Sequence, residues 1–278
     1  MTRWCAVLVA AIVALPGAAA AADLSNLYRQ STLEYWQGRY TTSAQRTLHL
    51  VLKNNPAYRE RLAGAQLALT LFAEGADRGN ALQFWSTYPP QTTVHLPVLS
   101  LKFLDDLSTA YAWLDVNGYA VETVSNYVAM VAHRRPADFP GQRFPQPLTA
   151  LIPNDSNPLG NQRVNDLSLA ILSAHAFIIG HELGHIYMFH TEFLPAETRA
   201  AESQSNEIQA DQFGLELLRN IGLPPLKMIL YFMAAANWDP STPTTHPLTG
   251  DRLKALRPAT ASQSRRFRPR RSSGARQS

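Results

Sequence analysis

The chain has 278 residues, 46% of them hydrophobic and 17% charged, with a formal net charge of +4. That suits one globular domain, or a domain with a small companion, with ample material for a core. The basic balance does not mark a nucleic-acid binder. Six arginines (265, 266, 268, 270, 271 and 276) lie in the last twenty residues without an acidic partner, so the rest of the chain stands at −2.

The first twenty-two residues read as an export signal. Arg3 supplies a positive start, Cys5 to Leu15 an apolar stretch, Pro16-Gly17 a break, and Ala18 to Ala22 small residues for cleavage before Asp23. The alternative is an uncleaved membrane anchor, but the apolar stretch is short against the ~20 residues of a bilayer span. Later apolar runs, at 168–180 and 226–236, are shorter than a span as well. Cys5 is the only cysteine, so the mature chain has no thiol to offer as nucleophile or metal ligand. The expected location is periplasmic or secreted.

Residues 23–90 show a helical, amphipathic pattern. Tyr35, Gly38, Tyr40, Ala44, Leu48, Leu52 and Pro56 fall at the spacing of a tetratricopeptide helix pair, with a weaker echo at Gly75, Ala81, Trp85 and Pro89. The segment is expected to be a helical hairpin packed on the main domain, or a module that docks a protein. Two further helices are expected between Val94 and His133, broken at Asn117-Gly118. Residues 134–161 carry six prolines and read as a loop, with short strand pieces fitting Leu148–Ile152.

An apolar helix is then expected from a cap at Asn165-Asp166 to about His190. It contains His181-Glu182-Leu183-Gly184-His185, the pattern H-E-x-x-H. Positions i and i+4 share a helix face, so both imidazoles aim at one point, as two ligands of a tetrahedral zinc would. Glu182 projects beside that point, where it can take a proton from water at the metal. Gly184, between the two histidines, predicts close approach by another element. His175 reads as a core histidine, and His190 as a helix-end residue favoured by the dipole.

After a polar loop at 194–205, a helix is expected around Asn206 to Gly222, stopped by Pro224-Pro225. Glu207 and Asp211 share one inward face, and buried carboxylates need cations or donors. Glu207 is the natural third metal ligand. Asp211 is the residue to orient a ligand histidine.

H-E-L-G-H followed by N-E-x-x-A-D resembles the gluzincin metallopeptidases of the HtpX, CAAX prenyl protease and Oma type. Thr245-His246-Pro247 with Arg252 is similar to a third segment of that family. The resemblance covers roughly residues 165–258. It implies one zinc ion held by His181, His185 and Glu207, Glu182 as catalytic base, and cleavage of peptides or proteins. His246 would be the first choice for a second donor to the oxyanion, ahead of Tyr187, Tyr231 and Arg252. Arg252 is expected to pair with Asp211 instead. The implied fold is mainly α, or α+β at most: a gluzincin-like core with a zinc-binding helix pair, a small sheet, and the tetratricopeptide-like segment before it. The expected division is signal peptide 1–22, helical segment 23–90, peptidase domain 91–260 and basic disordered tail 261–278. The family's apolar edge strand has no counterpart in 134–161, where it would stand. The competing reading is a catalytically degenerate fold that serves as an interaction or chaperone-like module in the cell envelope. Expected partners are a peptide or protein substrate, a docking protein for the N-terminal helices, and an acidic membrane surface for the arginine tail.

Overall fold

A computed structural model describes residues 23–75, 78–87, 92–134, 138–155, 157–172, 174–190, 199–223 and 252. Residues 1–22, expected to be an export signal, the arginine tail, His246 and Tyr231 lie outside them. Among the described residues the fold is mostly helical with one small sheet.

The first helix, α1, spans Gln30–Asn54 and buries Leu33, Tyr40, Ala44 and Val51 along one stripe. Asn55 leaves helical geometry and Pro56 opens the short α2, Pro56–Leu62. The tetratricopeptide-like spacing thus lies on one unbroken helix and not on a helix pair. Gly38 faces open space rather than a partner helix. Of the weaker echo, Ala81 falls on a turn and Trp85 on a strand, and Pro89 lies outside the described residues. From Leu24 to Leu218, the buried residues belong to one hydrophobic cluster that both expected segments share.

Three short strands follow: β1 (Gln66–Ala68), β2 (Trp85–Thr87) and β3 (Thr93–His95). Their order is β1-β3-β2, with β1 parallel and β2 antiparallel to β3. The region around 66–95, expected to be helical, therefore supplies the sheet. Both β2 and β3 lie against the helix that carries H-E-x-x-H. The wall missing from 134–161 comes from further up the chain. There, Leu148–Ile152 is no strand: Pro147–Leu151 is a helical turn, α5.

Next comes α3, Val98–Val116, buried on almost every side. Its first N–H groups have no side-chain cap. The carbonyls of Thr70 and Leu71 accept from Val98 and Leu99 instead, at 2.8 and 3.1 Å. Lys102 pairs with Asp106, Tyr28 donates to Asp106 at 2.8 Å, and Tyr40 donates to Asp105 at 2.8 Å. These bonds tie α1 and the segment before it to α3. The helix α4 covers Glu122–His133.

The apolar helix spans Gln162–Met188, and its described parts are labelled α6 (Gln162–Leu172) and α7 (Ala174–Met188). The cap is Asn161, whose Oδ1 accepts from Arg163 N at 3.0 Å. Asn165 and Asp166 lie inside the first turns. The span Gln162–Met188 is long and apolar enough to cross a membrane, but 73% of its most apolar window is buried within the fold. The last helix described, α8, runs Arg199–Asn220 and starts inside the stretch expected to be a loop. Gly222, at φ 76°, ends it.

The contact between α7 and α8 positions everything that follows. A Cβ on Gly180 would stand 3.1 Å from Gly214 Cα, and one on Gly184 would stand 3.0 Å from Ala210 Cα. A Cβ on Gly214 would meet the His181 backbone nitrogen at 3.0 Å. These are backbone atoms, which cannot rotate away. Gly214→Ala should therefore cost about 1–3 kcal/mol of stability by overpacking. In an unobstructed helix the same change gains up to ~1 kcal/mol, and Gly38→Ala in α1 should show that gain. Urea denaturation of the two variants checks the opposite signs.

Candidate functional site

The spacing of His181 and His185 on α7 puts both rings on the face that meets α8. Their Nε2 atoms are 3.1 Å apart. Glu207 reaches across from α8, with Oε2 at 3.4 Å from His181 Nε2 and Oε1 at 3.3 Å from His185 Nε2. Zinc ligands at about 2.1 Å in a tetrahedron stand about 3.4 Å from one another. Three donors of the right type, at that spacing and buried, fit a zinc ion.

Beyond the ligand atoms lies a second layer. His181 Nδ1 is 2.9 Å from Asp211 Oδ1. Arg252 donates Nε to Asp211 Oδ2 and Nη2 to Asp211 Oδ1, each at 2.8 Å. Its Nη1 is 2.9 Å from Glu207 Oε2. One guanidinium thus holds both Glu207 and Asp211, and Arg252 is itself 1% exposed. Burial alone would raise Asp211, but the hydrogen bonds from Arg252 and the contact with His181 outweigh it and hold the carboxyl below its usual range. Burial alone would lower His181, and there Asp211 and Glu207 win and raise it.

Glu182 follows the first ligand and is buried at 1% exposure. Glu182, Glu207 and Asp211 against Arg252 leave two negative charges in the site when the imidazoles are neutral. A dication balances them.

The structure brings together His181, Glu182, His185, Glu207, Asp211 and Arg252. The ring of Tyr187 stacks on Phe213 at 5.1 Å and meets Tyr58 of α2 at 5.0 Å. His175 packs edge-on to Tyr40 at 6.0 Å, and burial pushes it down to about 4.

Two histidines gain importance over their reading in sequence. His190 sits with Nδ1 3.2 Å from His185 Nδ1. Burial and the neighbouring His185 push it down to about 4. His95, on β3, stacks on its cross-strand partner Trp85 at 4.5 Å. Burial lowers it, while Glu74 and Glu182 pull the other way, so the sheet sets this ring within the field of Glu182. The alternation Thr93-Val94-His95-Leu96 was the available signal for that strand.

Residues 142–267 match the family Peptidase U49. The match takes in α5 to α8, Arg252 and every candidate ligand, and it supports a peptidase. It does not extend to the HtpX, CAAX and Oma grouping. No curated protein and no solved structure matches the chain.

Removing one partner of a buried charge cluster leaves the others uncompensated. Arg252→Met should cost the metal-free protein about 3–5 kcal/mol. A chemical denaturation curve of the chelator-treated variant beside wild type measures it.

Proposed function

We propose that the chain is an exported, zinc-dependent metallopeptidase of the gluzincin type that hydrolyses peptide bonds in peptides or proteins. The observation that carries this reading is the donor triad: His181, His185 and Glu207 at zinc-ligand spacing, each buried, with Glu182 beside them. The peptidase match across the same residues supports it.

A zinc ion held there supplies a polarised water and a Lewis acid for the scissile carbonyl. The protein's part is to hold and to move protons. Asp211 and Arg252 fix His181 and Glu207 in place. Glu182 takes the proton of the attacking water and passes it to the leaving amine. Its burial keeps bulk water from competing for that proton. The second donor to the oxyanion is assigned to His246, which lies within the matched region. The substrate's extended backbone is assigned to β2, which stands at one side of the sheet and against α7.

Glu182→Gln tests this directly. The variant should retain about one zinc per chain and lose at least ~100-fold in kcat/KM on casein or a peptide library. Equal activity in both proteins, or a wild type without metal, would sink the reading. Export rests on the pattern of residues 1–22. N-terminal sequencing of the protein recovered from the cell envelope should begin at or near Asp23.

A further inference from the structure

His190 lies outside H-E-x-x-H, yet the chain turns it back onto the motif. The helix α7 ends at Met188, and Phe189 takes φ 57°. That left-handed conformation usually falls to glycine or asparagine at a helix end. His190 N then donates to His185 O at 3.1 Å, the long closing bond of a Schellman-type end. Arg61 of α2 lies over the Phe189 ring at 4.0 Å and covers the turn.

The turn brings His190 Nδ1 to 3.2 Å from His185 Nδ1. His185 therefore has both ring nitrogens engaged: Nε2 faces His181 and Glu207, and Nδ1 faces His190. Gln209 of α8 is a further hydrogen-bonding neighbour of His190. Its amide nitrogen donates one of two hydrogens to Ser205 Oγ at 3.1 Å, and its carbonyl oxygen can accept from an imidazole N–H. A neutral imidazole has one donor and one acceptor nitrogen. If one His190 nitrogen donates to Gln209, the nitrogen facing His185 is the acceptor.

We propose that His190 is a positioning residue for His185: its Nδ1 accepts the His185 Nδ1–H and so fixes the tautomer whose Nε2 lone pair faces the metal. This rests on the zinc reading above. It gives each ligand histidine a partner behind it, Asp211 for His181 and His190 for His185, as ligating histidines require. The simpler role, a cation set against the last carbonyls of the helix, does not account for a ring nitrogen that stands 3.2 Å from His185 Nδ1.

Zinc affinity of the purified full chain, read by competition with a chromophoric chelator, tests the assignment without reference to turnover. His190→Ala should bind zinc about 10–100-fold more weakly than wild type. His190→Asn, whose side-chain oxygen can accept in place of Nδ1, should recover most of that loss. Far-UV circular dichroism of both metal-free variants should match wild type. His190→Ala binding as tightly as wild type overturns the proposal. So does His190→Asn binding as weakly as His190→Ala, since the acceptor would then be irrelevant. Should His190→Ala not fold, Gln209→Met reads the same chain from its far end: weaker zinc binding supports the relay, and unchanged affinity overturns it. A wild type that binds no zinc defeats the metallopeptidase reading itself, which separates the two failures.

Discussion

Two helices can hold one small ion between them only if their backbones approach closer than ordinary side chains permit. Here the glycines of α7 and the Ala210–Gly214 face of α8 meet with room for no further methyl group. Glu207 lies one turn before Ala210, and Asp211 one residue after it, so the same contact carries both carboxylates to the histidines. A larger residue in this seam would hold the glutamate away from the imidazoles, whatever the sequence of the ligands themselves.

That close contact creates an electrostatic demand. Three carboxylates enter a region nearly without solvent, where an unpaired charge costs several kcal/mol (order of magnitude). Arg252 answers part of it. Its planar fork makes two parallel bonds to Asp211, and its Nη1 pairs with Glu207. A lysine could offer the charge but not the planar fork. The two negative charges left over are what a divalent cation would balance.

The candidate site was legible because side chains that share one helix face obey the helical period. H-E-x-x-H and E-x-x-x-D each put two functional groups on one face, and Gly184 announced the close neighbour. The strands were hard to read. Thr93 to Leu96 do alternate, but so short an alternation does not outweigh the helical pattern on either side, and Pro89-Pro90 after β2 suggested a break instead. The spacing of small residues in α1 misled for a different reason. Gly38 and Ala44 imitate a helix-pair seam, but on one long helix Ala44 packs into the shared core and Gly38 packs against nothing. The end of α7 was hidden because its left-handed residue is Phe189 and not a glycine. The start of α8 was hidden because Arg199 to Ser205 is a polar run, which reads as loop when the partner helix is unknown.

The parts of the site come from distant places in the chain: β2 and β3 before residue 96, the ligand pair at 181 and 185, the carboxylates at 207 and 211, and the guanidinium at 252. No short segment can form it alone, since α7 without α8 has two ligands and α8 without Arg252 has two unbalanced charges. A cation bound there binds the folded chain and has no equivalent site in the unfolded one, so its binding free energy adds to folding stability. The buried charges that weaken the metal-free protein would then be the same groups through which a metal would stabilise it.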